Sequence, residues 1–188
     1  MNVSVQFQRH YFNVDEYYRM ARAGIFAKDH RVELIKGEVI EMSPIGKHHA
    51  GCVNRLNRLL NGSVGKAAIV AVQNPISIDD FSEPQPDVAL LKPRADFYSN
   101  SHPTPADVLL IIEVADTSAE YDRRVKLPLY ARAGIPEAWL VVLPKDLIEA
   151  HSEPKHGKYQ KVRRLKRGKT LVSTSVKELS LKVDDILG

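Results

Sequence analysis

Val108-Leu109-Leu110-Ile111-Ile112-Glu113-Val114-Ala115 is an aliphatic run broken by a single acid, and its reading organises the rest of the chain. Its β-branched and aliphatic content reads as a strand. A carboxylate inside such a run is out of place, because burying an unpaired charge is costly unless a cation or hydrogen bonds compensate. The preceding strand, 87–91, begins with Asp87 directly after Pro86. If the two strands pair antiparallel, the start of one meets the end of the other, and Asp87 comes to face Glu113.

The pattern continues on both sides. Downstream, a helix over 121–133 stops at Gly134, and a strand follows over 138–143. Upstream, strands are expected at 67–73 and 76–78. Before them, Val53, Leu56, Leu59 and Leu60 recur at helical spacing in a helix from Lys47 to about residue 61. The segments 31–35 and 38–42 alternate about Lys36-Gly37 as a β-hairpin. A short amphipathic helix opens at Asn13 or Asp15 and ends at Gly24. Prolines 84, 86, 93, 103 and 105 punctuate the middle of the chain and mark 92–106 as a loop. Three or four short strands are expected after 143. The order is helix, antiparallel strands, helix, strand, an α/β plan with a mixed sheet, an N-terminal hairpin and extra C-terminal strands.

Composition agrees with one domain over 1–188, a core at about 13–143 and a basic β-rich tail at about 144–188. The chain is 44% apolar and 27% charged, enough for a real core. A lone cysteine, Cys52, excludes an internal disulfide and fits a reducing compartment. No apolar stretch approaches the roughly 18 residues of a membrane span and no secretion signal is evident, so the cytoplasm is expected. The net charge of +4 is uneven: residues 151–188 hold ten Lys or Arg against four acids. Within that tail Arg163, Arg164, Lys166, Arg167 and Lys169 are candidate nucleic-acid contacts. The same charges would equally keep an edge strand from aggregating.

Each candidate residue has a plain structural alternative. Asp87 either caps a strand or binds a cation, and Glu113 either does the same or pairs with Arg123 or Arg124. Gln73 either reaches into the pocket or ends a strand. If the third helix is continuous, Asp122, Lys126 and Tyr130 lie four apart on one face that can look back at Glu113. Pro128 opposes that continuity, because proline removes a helical hydrogen bond. His48 and His49 are adjacent at a helix start, so at most one faces a given site. Ser118 is a candidate helix cap, and Trp139 is assigned to an apolar core.

Pro86-Asp87 followed at a distance by Glu113-Val114-Ala115, within this order of elements, resembles the PD-(D/E)XK nuclease superfamily. More narrowly, five segments resemble the Uma2 family of endonucleases over about 13–143. They are Glu33-Leu34-Ile35-Lys36-Gly37-Glu38, Gln85-Pro86-Asp87-Val88, Ile112-Glu113-Val114-Ala115-Asp116-Thr117-Ser118, Lys126 with Tyr130, and Gly134-Ile135-Pro136-Glu137-Ala138-Trp139-Leu140. The superfamily usually places a lysine two residues after the glutamate, where this chain has Ala115. In Uma2-like chains that lysine moves to the following helix, a place matched by Lys126.

The resemblance implies catalytic Asp87, Glu113 and Lys126, with Mg2+ or Mn2+ held by Asp87, Glu113 and the backbone carbonyl of Val114. It implies phosphodiester hydrolysis on nucleic acid, DNA first, by a homodimer. Glu33 would be a third carboxylate or a hydrogen-bonding support, the alternative being an exposed acid. His49 matches the family histidine, the alternative being a solvent-facing helix residue. Ala115 and Pro128 leave room for a second function, a catalytically inactive module of the same fold that binds nucleic acid or protein.

Overall fold

A computed structural model describes residues 8–27 and 30–188. Six strands form a mixed sheet in the order β3-β4-β5-β6-β7-β8. They are β3 (Ile69–Val72), β4 (Val88–Leu91), β5 (Val108–Ala115), β6 (Glu137–Val142), β7 (Leu147–Lys155) and β8 (Lys158–Lys166). β3, β4 and β5 form an antiparallel meander, and β5 pairs parallel with β6. A parallel pair needs a crossover, and here it is helical: α3 (Ala119–Tyr121), a π-helical turn (Asp122–Lys126) and α4 (Leu127–Arg132). Gly134, at φ 77°, then turns the chain into β6 in a backbone region that favours glycine.

The sheet is covered on both faces. Helix α2 (Lys47–Val64) lays Cys52, Leu56 and Leu60 against Val88, Leu90, Leu110, Ile112 and Trp139. On the other face Leu127, Tyr130 and Ile135 pack on Ala89, Ile111, Ala138 and Leu140. That double cover explains why the central strands are aliphatic at nearly every position instead of alternating.

The N-terminal helix α1 (Val14–Arg22) is capped by Asn13, one of the two caps expected, and the structure adds a reciprocal Glu16 bond. The hairpin β1 (Val32–Ile35) and β2 (Glu38–Glu41) forms its own two-stranded sheet. It is held to the chain before β4 by an isolated bridge between Leu34 and Glu83.

Three expectations are corrected. Residues 76–78 form no strand: the Ile76 and Ile78 amides donate to the Pro84 and Ser82 carbonyls around a tight turn, and the Ser77 amide donates to the loop carbonyl of Pro103, so no sheet strand is paired. The tail is not a set of short strands only. β7 and β8 run nine residues each, followed by β9 (Thr170–Val172), β10 (Ser180–Lys182) and a terminal helix, α5 (Val183–Leu187). Val183, Ile186 and Leu187 bury against α2, and Arg55 donates to the Ile186 and Leu187 carbonyls that the helix end leaves unpaired. Finally, α2 runs to Val64, three residues beyond the expected end.

Pro128 does not break its helix. The Leu127 amide donates to the Asp122 carbonyl, one residue further back than in an α-helix. This widened turn accommodates a ring that would otherwise clash with the carbonyl four residues earlier.

Candidate active site

β4 pairing ends at Val88 opposite Ile112, so Asp87 lies just past the ladder beside Glu113. With no β4 residue left to bond, the Val114 amide donates to Asp87 Oδ2 at 2.9 Å. His49 Nε2 sits 3.0 Å from Asp87 Oδ1, and Gln73 Nε2 donates to the same oxygen at 3.3 Å. Burial alone would raise the Asp87 pKa. The His49 bond and charge, the Val114 amide and Gln73 outweigh it and hold the carboxyl below its ordinary value. His49 is raised in turn, chiefly by its bond to Asp87. The helix residue whose alternative was solvent therefore faces inward, while its neighbour His48 is exposed.

Glu113 has a different environment. Tyr130 Oη donates to its Oε1 at 2.5 Å, and Lys126 Nζ lies 3.3 Å from the same oxygen. Lys126 also lies 3.1 Å from Glu33 Oε2. Glu33 is 2% exposed, not the surface acid of the alternative reading, and it accepts the Gln85 amide at 3.1 Å. Asp122, Lys126 and Tyr130 are all buried and turned to this side, so the π turn keeps the three on a common face. Ser118 makes no cap; its hydroxyl donates to Asp122 Oδ2 at 2.8 Å.

Glu33, Asp87, Glu113 and Asp122 are thus four buried carboxylates around one buried ammonium, with His49 beside them. Desolvation, then the repulsion of Asp122 and Asp87, pushes Glu113 up to about 8 despite Lys126 and Tyr130. Lys126 moves upward as well: desolvation opposes its charge, but Glu113, Glu33 and Asp122 together overcome it. The cluster holds more negative charge than its own cations neutralise. It opens into a cleft of about 420 Å³ lined also by Arg31, Gln85, Asp116, Thr117 and Tyr121.

Among the described residues no set of three or more His, Cys, Asp or Glu is arranged to hold a metal ion. Two acids suffice for a hard cation that retains water and substrate oxygens, and the donors here are oxygens with excess charge. The chemistry of the donors is thus compatible with a divalent cation of the magnesium type, which Asp87 and Glu113 could hold. His49 Nδ1 and Tyr121 Oη, both of residues lining the cleft, are buried without a hydrogen-bond partner among the described residues.

The basic tail stands apart. β8 is an edge of the sheet, three strands from β5. Arg164 pairs with Glu149, Arg167 with Asp146 and Asp184, and Arg163 donates to the Val172 carbonyl. Lys166 and Lys169 have no ion pair among the described residues. Arg123 and Arg124, possible partners of Glu113, bind Glu120 instead, Arg123 also reaching Glu149.

Sequence reading missed Arg31, Gln85, Asp116 and Tyr121 as cleft residues. Gln85, Asp116 and Tyr121 carried a signal, their places beside Pro86-Asp87, just after Glu113 and just before Asp122; Arg31 lies at the start of a hairpin whose approach only the fold decides. It also missed a buried acid outside the cleft, Glu137, which is 0% exposed. Glu137 accepts from Trp139 Nε1, the Thr174 and Ser175 amides, and the Ser173 and Ser175 hydroxyls. Trp139 is core, as read from the sequence, but its indole is not surrounded by apolar groups alone.

The family model Uma2, described as "Putative restriction endonuclease", matches residues 14–184. Among solved structures, the chain is similar to one described as a "putative nuclease belonging to DUF820" from Anabaena variabilis. The TM-score is 0.70 at 16% identity, over 94% of this chain and 97% of that one. This likeness carries the fold. No curated protein matches the sequence. No helix of the described residues is long and apolar enough to cross a membrane.

Proposed function

Since the chain belongs to the Uma2 family, we propose that it is a metal-dependent endonuclease that hydrolyses phosphodiester bonds of nucleic acid, DNA in the first instance. The observation that carries this reading is the surplus of buried carboxylates where Asp87 and Glu113 meet, around the single ammonium of Lys126. Mg2+ or Mn2+ would be held by Asp87, Glu113 and the Val114 carbonyl. Bound there, it would act as a Lewis acid and lower the pKa of a coordinated water.

The chain's own groups then divide the work. Tyr130 and Lys126 fix one oxygen of Glu113, and His49, Gln73 and the Val114 amide fix Asp87. Both acids are oriented before substrate arrives, which is the arrangement electrostatic catalysis requires. Lys126, kept protonated by Glu33 and Glu113, is placed to contact a phosphate oxygen or steady the attacking water. Asp122 adds negative charge that favours the protonated lysine. Arg31 lines the same cleft and is a candidate phosphate contact. On the tail, Lys166 and Lys169 are free of ion pairs among the described residues and serve the polyanion better than the engaged arginines Arg163, Arg164 and Arg167. A homodimer and a cytoplasmic setting complete the proposal, the latter on the buried, unpaired Cys52.

The test is cleavage of DNA and RNA by purified protein with Mg2+, Mn2+ or chelator. Cleavage is expected only with metal, and to be lost in Asp87→Ala and Glu113→Gln. Equal activity of wild type and Asp87→Ala would sink the reading. Nucleic-acid binding without cleavage under every metal condition would favour the inactive module.

A further inference from the structure

Beside the acidic cleft lies a second depression of about 620 Å³, whose walls include Tyr11, Ile35, Ile40, Phe81, Tyr121 and Val125. Ile40 and Tyr121 line both hollows, so the two adjoin across these side chains. The volume is within the roughly 300–1,000 Å³ typical of small-molecule sites. Two of its walls are aromatic and open to solvent, Tyr11 at 48% and Phe81 at 46% exposure.

The main chain that carries these rings is braced. The Gly37 amide donates to the Phe81 carbonyl at 2.7 Å, and the Phe12 amide donates to the Gly37 carbonyl at 2.9 Å. Tyr11 packs so closely on Gly37 that a Cβ there would lie 2.6 Å from Tyr11 Cβ. The turn between β1 and β2 thus holds both aromatic residues by backbone contacts. At the junction, Tyr121 Oη is buried and lacks a hydrogen-bond partner among the described residues. Lys36, Glu38 and Asp79 also line the hollow, one cation against two acids, so it is less acidic than the cleft but carries no surplus of positive charge.

We propose that this hollow receives a nucleobase of the strand whose phosphate enters the acidic cleft. The inference rests on the nucleic-acid reading of that cleft and narrows its substrate. In a duplex, base faces are covered by their stacking neighbours, so a flat aromatic-walled hollow takes a base only from a single strand or from a nucleotide turned out of a helix. A lining with more acid than base suits an uncharged base better than a second phosphate. Tyr121 Oη supplies a hydrogen bond to a base edge at the boundary of the two hollows. The substrate class is nucleic acid with an unpaired nucleotide next to the scissile phosphate.

The test uses the full chain and a short single-stranded DNA carrying 2-aminopurine, with Ca2+ in place of Mg2+, and reads fluorescence quenching on stacking. Wild type is expected to quench. Phe81→Ala and Tyr11→Ala should each bind roughly tenfold more weakly. Phe81→Leu keeps the apolar volume and should lose most of the quenching, with thermal unfolding confirming that the variants fold. A fully paired duplex should compete poorly. Equal binding and quenching by wild type and the Tyr11 and Phe81 variants would overturn the base site, even if Asp87-dependent cleavage persists. Quenching that depends on Phe81, without cleavage by wild type, would keep the base site and remove the nuclease reading. A wild-type dimer that Phe81→Ala turns into monomer would assign the hollow to a second copy and overturn the proposal.

Discussion

Glu113 and Glu137 lie on adjacent parallel strands, both inaccessible to solvent, and their surroundings push them in opposite directions. Burial raises Glu137 too, but Ser173, Trp139 and Ser175 more than offset it, leaving its pKa below the ordinary value. Those partners are neutral hydroxyls, amides and an indole, with the Arg163 guanidinium a more distant ion pair at 3.7 Å. Glu113 has one phenol and one shared lysine, in a pocket with three further acids. A buried acid used for structure is fully supplied with donors; one left short of positive charge is prepared for a cation. The contrast separates a structural glutamate from a candidate metal ligand on grounds that burial alone would miss.

The largest expected effect is on activity. Glu113→Gln keeps the shape but removes the ligand charge, and cleavage should fall by about a thousandfold, on the order of 4 kcal/mol. Glu137→Gln should leave kcat/KM of the folded protein within a few-fold, and comparable losses in both variants would erase the distinction.

Stability should reverse the ranking. Glu137→Ala strands the Trp139 indole and the 174–175 amides, so urea unfolding should show a loss of about 3 kcal/mol. Glu113→Gln in metal-free buffer should cost much less, since it relieves repulsion with Asp87 and Asp122.

Metal should act on one glutamate alone. Mn2+ at about 100 times its dissociation constant should stabilise the wild type by about 2.7 kcal/mol, read as a thermal shift. Glu137→Gln should keep the shift and Glu113→Ala should lose it. A shift retained in Glu113→Ala would place the ion elsewhere.

The smallest effect per pH unit is a difference in slope. Glu113, raised from 4.5 to about 8, binds its proton more tightly in the folded state, so it favours folding at low pH. Its contribution declines as pH rises from about 4.5 to about 8, by at most about 1.4 kcal/mol per unit. Glu137 is lowered, so its contribution is present above pH 4.5 and is lost as pH falls through its folded pKa. In metal-free stability profiles, Glu113→Gln should flatten the neutral decline, and Glu137→Gln should flatten the acid one.

Much of this was legible in the chain because it depends on local order. The aliphatic run 108–115, the Pro86-Asp87 step and the turns at Gly24, Gly37 and Gly134 fix which strands neighbour each other, and antiparallel pairing then sets Asp87 against Glu113. The spacing of Asp122, Lys126 and Tyr130 placed them together only if the helix ran unbroken past Pro128, and the π turn meets that condition. Residues 76–78 and α5 were misread because three apolar residues or a five-residue terminus carry too little periodicity to identify an element.

What the sequence by itself determined is the order of the elements around the site, from the hairpin at 32–41 to the strand at 137–142, and the meeting of two acids at strand ends, since both follow from periodicity and from pairing between chain neighbours. Only the tertiary structure decided that Glu33 comes in from a separate hairpin, that His49 turns inward, that a π turn absorbs Pro128, and that Glu137 is satisfied while Glu113 is not. Each of those outcomes depends on donors and charges far away in sequence, such as residues 173–175 for Glu137. Whether a buried carboxylate is neutralised depends on that whole surrounding set, and a linear pattern around the acid does not contain it.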